Sequence, residues 1–167
     1  KVFKNIAKTG KSTMGWFYGF KLHIVINDKG ELLSFCVTQA NVDDREPLKN
    51  EGFLKDIFGK LYGDKGYISE KLHKLLFVDG IEIITSIRNN MKNSLMQLSD
   101  KIMLRKRSVI ETVNDELKNI CQVEHSRHRS VANFLCNLIA GIIAYHFLPK
   151  KPSIKVDILK NNQLTLY

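Results

Sequence analysis

The sequence predicts an α/β domain, a mixed β-sheet with helices on its faces, and three observations carry that expectation. Two runs rich in β-branched and aromatic residues, "WFYGFKLHIVIND" and "ELLSFCVTQA", flank the turn Asn27-Asp28-Lys29-Gly30. Short apolar runs then alternate with stretches of helical period between residues 43 and 87. The C-terminal third holds two helical stretches with no strand between them. At 167 residues the chain is long enough for one domain with a real core.

In chain order, residues 1–13 are basic and small and carry little periodic signal. The two runs around N-D-K-G read as a β-hairpin. "NVDDREPL" reads as a loop feeding a helix from Leu48 to Ile57, with Asp43 or Asp44 as the cap and Pro47 in the first turn. "GKLYGD" reads as a short strand that ends at Asp64. Ser69 caps a helix, "EKLHKLLFVDG", with Leu72, Leu75, Leu76 and Phe77 on its apolar face and Gly80 as its stop. "IEIITSI" is a buried-strand candidate. Residues 88–106 turn polar and basic, an irregular insertion with helical pieces. A long helix is expected from near Arg107 through Ile120, and a buried core helix from Ser130 to Phe147, stopped by Pro149. The boundaries expected are a domain over residues 1–149 and a polar, loose tail over 150–167.

Charge narrows the partners. There are 26 Lys+Arg against 17 Asp+Glu, a formal net charge of +9. Such a balance points to a polyanion, most often nucleic acid. The three cysteines, Cys36, Cys121 and Cys136, include no C-x-x-C pair, which fits free thiols in a reducing cytoplasm. Cys121, His125 and His128 are close in sequence but lack a fourth ligand for zinc. The longest apolar stretch, Phe134 to Leu148, is too short to span a bilayer, so no membrane partner is expected.

Two carboxylates stand out. Asp64 closes a strand between Gly63 and Gly66, where a phosphate backbone has room to approach, and Lys65 adds charge beside it. The same pattern also describes an ordinary aspartate in a tight turn. Glu111 lies in "RKRSVIETVNDELKN", where Arg107, Glu111 and Lys118 are spaced four and seven residues apart and share a face of one helix. Solvent-facing helices often carry such pairs, but here Arg105, Lys106, Arg127 and Arg129 surround them with positive charge. Carboxylates converging from a strand end and a helix suit two hard cations about 4 Å apart, as in metal-assisted phosphoryl transfer.

Together, "YGDKGY" and the later Arg-x3-Glu-x6-Lys resemble bacterial insertion-sequence transposases with a DDE catalytic domain, which have a ribonuclease-H-like fold and a Y-x2-R-x3-E-x6-K signature. The hairpin region and "EHSRHRSVANFLCNLIAGIIAYHF" are also similar to that family, so the likeness runs to about Pro149. The resemblance implies that Asp64 is the second catalytic Asp and Glu111 the catalytic Glu, both ligands of Mg²⁺ or Mn²⁺, with two ions in the complete site. It implies DNA contacts for Arg107 and Lys118, and the surrounding charge adds Lys65, Arg127 and Arg129. It further implies cleavage at transposon ends, strand transfer into target DNA, and a homo-oligomer that pairs two ends.

Two positions depart from the family pattern. The signature Tyr position is Leu104, and no Asp precedes Asp28, which sits in the hairpin turn. Asp43 and Asp44 follow the third family strand and are not promoted to fill the place. The expectation is therefore a ribonuclease-H-like sheet without its first strand, two strand edges left unpaired, and a chain that is poorly stable and inactive alone. The alternatives are a non-catalytic DNA-binding remnant, a ribonuclease-H-like nuclease of another role, or a basic α/β interaction domain.

Overall fold

The N-D-K-G turn closes as its composition predicts. In the computed structural model, which describes residues 3–13, 15–87, 95–124, 127–154 and 164–166, Asn27 Oδ1 accepts from the backbone of Lys29 and Glu31 at 3.0 and 2.9 Å. Gly30 has φ of 72°, a region that glycine enters at no steric cost.

The chain divides into two units. The first comprises Lys1–Val42 with Val109–Ile154, and the second Asp43–Ser108 with Lys155–Tyr167.

In the first unit, β1 (Lys8–Ser12), β2 (Gly15–Ile26) and β3 (Leu32–Gln39) form an antiparallel sheet. β1 pairs with the first half of β2 and β3 with the second, in register Ile24↔Phe35. The strand β1 falls in text whose small and basic residues carried no period. Two helices follow, α3 (Val109–Asn119) and α4 (Val131–His146). Val113 and Leu117 of α3, and Leu138, Ile142 and Tyr145 of α4, form one core with Leu32, and Leu22, Ile24 and Val37 of the hairpin pack against it. The Tyr145 hydroxyl donates to Gly30 O at 2.6 Å and so ties α4 to the hairpin turn.

The expectation of a fully buried α4 is corrected. Leu135, Ile139, Ile143 and Phe147 recur every four residues along an exposed stripe, while Leu138, Ile142 and Tyr145 are buried. An all-apolar sequence hides this split because only one face meets the core. The Ser130 cap is as expected: its Oγ accepts from Asn133 N at 3.1 Å.

In the second unit, β4 (Gly59–Gly63) and β5 (Ile81–Thr85) pair in parallel through α1 (Glu70–Val78), a βαβ turn of chain. Ser69 caps α1, and Gly80, at φ 76°, ends it. Leu72 and Leu76 face inward with Ile81, Ile83 and Ile84, whereas Leu75 and Phe77 are exposed, so the apolar face is narrower than the sequence predicts. β6 (Leu95–Gln97) pairs antiparallel with β7 (Leu164–Leu166), and α2 (Leu98–Lys106) follows β6 directly. Part of the tail expected to be loose is thus a strand.

Three further expectations change. The helix predicted over Leu48–Ile57 is only a 3-10 turn at Pro47–Lys49. Asn50 ends it by accepting from Gly52 N at 2.9 Å, and Asp56 takes a positive φ of 62°, both incompatible with continued helix. Asp43 caps a turn instead, accepting from Arg45 N. The helix predicted from Arg107 is divided: Arg107 ends α2, and α3 starts at Val109. Ser108-x-x-Glu111 is a capping-box sequence, which favours a new start there. Finally, the single mixed sheet is, among the described residues, three separate sheets, because no described strand joins β4 to the hairpin.

Candidate active site

Asp64 follows β4 in extended backbone, at φ −80° and ψ 167°. Its Oδ1 accepts from Lys65 N at 2.7 Å and caps the 3-10 turn Lys65–Tyr67. The turn reading holds: capping fixes the carboxylate, and 60% of its side chain stays exposed. Arg107 Nη2 lies 3.3 Å from the same Oδ1. Gly63 has a packing reason to be glycine, since a Cβ there would meet the Tyr67 ring at 3.2 Å. An added Cβ at Gly66 would meet nothing within 4 Å.

The field around this turn is acidic as well as basic. Burial pushes the Tyr67 hydroxyl up, and the carboxylates of Asp44, Asp64 and Asp43 add to the shift. Tyr67 therefore remains a neutral donor. Asp43 is held by Arg45 through contacts of 2.9 and 2.7 Å, which hold its carboxyl well below the usual carboxylate range.

Glu111 lies in the first turn of α3, exposed, with no hydrogen bond or ion pair among the described residues. Lys118 is two turns further along the same helix face and pairs with Glu124 at 3.2 Å. Arg127 and Arg129 precede α4, are exposed, and form no ion pair among the described residues. His125, close in sequence to Cys121 and His128, lies outside the described residues. Asp64, Lys65 and Arg107 thus belong to the second unit, and Glu111, Lys118, Arg127 and Arg129 to the first.

One group escaped the sequence reading. Asp100 is 6% exposed and receives two contacts from Lys60 Nζ, at 2.9 and 2.8 Å, and the Tyr62 hydroxyl at 2.8 Å. The only sequence signal was the alternation of Lys60 and Tyr62 on a strand, and it carries no hint of its partner.

The description "Transposase DDE domain" belongs to a family model that matches residues 1–131 of this sequence. The chain belongs to that family. The match covers the hairpin, Asp64, Arg107, Glu111 and Lys118, and it ends where α4 begins. A curated protein of Arabidopsis thaliana, "Receptor-like protein 9b", is 36% identical over 73 residues, which is 43% of this chain and 7% of that protein. No solved structure matches the chain. No helix among the described residues is long and apolar enough to cross a membrane.

Proposed function

We propose that this DDE domain, over residues 1–149 and of bacterial insertion-sequence type, supplies Asp64 and Glu111, two of the three acids of a site that cleaves transposon ends and transfers their strands into target DNA. The observation that carries the reading is the Arg107–Asp64 contact. Two residues 43 positions apart in sequence, each marked by a separate part of the family signature, meet at 3.3 Å. A ribonuclease-H-like arrangement is the fold we infer for the domain, supported by the antiparallel hairpin followed by a parallel βαβ unit.

Asp64 and Glu111 are the ligands we assign to Mg²⁺ or Mn²⁺, two ions in the complete site. Their chemistry fits: both are exposed carboxylates, and Mg²⁺ favours oxygen donors and keeps several waters. Among the described residues no group of three or more His, Cys, Asp or Glu is clustered for a metal, so the two acids are proposed one by one. When bound, the ions supply Lewis-acid activation of the attacking and leaving oxygens. The protein's own part is positional. The bond that Lys65 N donates to Asp64 Oδ1 aims the carboxylate, while Arg107, Lys65, Lys118, Arg127 and Arg129 hold phosphates in a chain of net charge +9. A homo-oligomer is proposed because two ends must be joined together, and the cytoplasm as the place where that DNA lies.

The test is Mn²⁺ titration followed by electron paramagnetic resonance, beside duplex binding. Asp64→Asn and Glu111→Gln should each weaken Mn²⁺ binding about tenfold or more while duplex binding is kept. Unchanged Mn²⁺ affinity in both variants would favour a DNA-binding remnant without metal chemistry.

A further inference from the structure

The buried carboxylate of Asp100 is costly in this fold unless it is fully paired. Three donor contacts within 2.9 Å surround it, two from Lys60 and one from Tyr62. Lys60 is held in turn by Gln97 Oε1 at 3.2 Å. Burial, then the bond to Asp100, push the Tyr62 hydroxyl far up, so it stays protonated and keeps donating. Buried ion pairs add little net stability, and their best attested role is to select one register.

The register here can be read directly. Lys60 and Tyr62 on β4, and Asp64 just after it in extended backbone, alternate along the chain and share one face. Asp100 and Arg107 are seven residues apart, two turns along the same face of α2, or about 10.5 Å. From the midpoint of Lys60 and Tyr62 to Asp64 is three strand residues, about 10 Å. The two spacings agree, so β4 and α2 run side by side with Asp100 locked at one end and Arg107 meeting Asp64 at the other. The charges are also crossed: the strand carries Lys60 then Asp64, the helix Asp100 then Arg107. Sliding α2 by one turn, about 5.4 Å, would take Asp100 away from Lys60 and towards Asp64, a like charge.

We propose that Asp100 is a positioning residue, which locks α2 on β4 so that the Arg107 guanidinium is held beside Asp64, in place for a DNA phosphate. The phosphate part rests on the transposase reading above; the positioning part does not.

Two measurements on the 167-residue chain test it. The first follows the Arg107 Nε–Hε resonance by NMR, assigned by its loss in Arg107→Lys. Asp100→Asn should move that resonance to the position and mobility of a free arginine while the amides of β5 stay in place. An unmoved Arg107 resonance in folded Asp100→Asn overturns the proposal. Where Asp100→Asn does not fold, Tyr62→Phe, which removes one of the three contacts, should shift the same resonance part of the way, and no shift overturns it equally. The second measures fluorescence anisotropy of a short labelled duplex over a salt series. Arg107→Ala should lower the slope of log affinity against log salt by about one, and Asp100→Asn should do the same. Asp100→Asn should then add nothing in the Arg107→Ala background. Equal losses with and without Arg107 mean that Asp100 is merely structural, and the proposal fails. A slope unchanged by Arg107→Ala defeats the phosphate reading alone, and the NMR result still decides the positioning.

Discussion

Arg107 Nη2 and Asp64 Oδ1 stand 3.3 Å apart, joining the end of α2 to the end of β4. The contact is partly exposed, with 34% of the arginine and 60% of the aspartate side chain accessible. Water screens such a pair, so its worth lies in placement more than in stability.

That separation of roles is measurable. Asp64→Asn removes the charge but retains an oxygen that caps the following turn. Its unfolding free energy in urea should therefore stay within about 1 kcal/mol of the parent, even as Mn²⁺ binding weakens. A drop of several kcal/mol would mean that the acid is primarily structural.

Lys118 offers a second test of the proposed DNA binding. It is paired with Glu124 at 3.2 Å, and both side chains are more than half exposed. Glu124→Gln should release the ammonium and remove a repelling charge. Duplex affinity at low salt should rise, with the salt slope steeper by up to about one. Weaker binding in this variant would show that Glu124 holds Lys118 in its working position.

The bond from Tyr145 to Gly30 O is the clearest stability determinant of the first unit. Tyr145 is fully buried, and Tyr145→Phe should cost about 1–2 kcal/mol in urea unfolding because it leaves a buried carbonyl without its donor. Burial, with Glu116 and Cys121 adding to it, pushes this hydroxyl up to about 12. The folded state therefore keeps a proton that the unfolded chain loses near pH 10. The stabilisation is complete below about pH 10 and is lost as pH rises through about 12, a fall on the order of 2 kcal/mol. Tyr145→Phe should remove that part of the alkaline slope, and an identical slope in both proteins would contradict the assignment.

Two strand glycines should respond oppositely to alanine. A Cβ at Gly10 would fall 2.1 Å from Ala40 O, a backbone atom that cannot swing aside, whereas Gly19 has nothing within 4 Å. Gly10→Ala should lose about 1–3 kcal/mol, and Gly19→Ala should be neutral or gain up to about 1 kcal/mol. Thermal melting of the pair checks the close approach of β1 to the end of β3.

Elements with strong local signals were legible from sequence. The hairpin, the caps at Ser69 and Ser130, the stop at Gly80 and the strands around α1 all depend on neighbours a few residues away. The misread segments lacked such signals or contained competing ones. The stretch after Pro47 is apolar enough for a helix, but Asn50 and Asp56 bind or bend the backbone otherwise. Around Arg107 the regular charge spacing suggested one helix, while Ser108 was already a start signal for another.

By itself the sequence determined the chemistry on offer: a strand-end carboxylate between glycines, a basic chain, and a spacing of Arg, Glu and Lys that marks the transposase DDE family. Those are properties of residue type and short-range order. Tertiary structure decided the pairings: Arg107 with Asp64, Asp100 with Lys60 and Tyr62, and Tyr145 with Gly30. These contacts span 38 to 115 residues of chain, a distance over which helix and strand periodicity carry no information about who meets whom. Packing in the fold supplies it, because a buried carboxylate or hydroxyl must find a partner and only one docking register provides it.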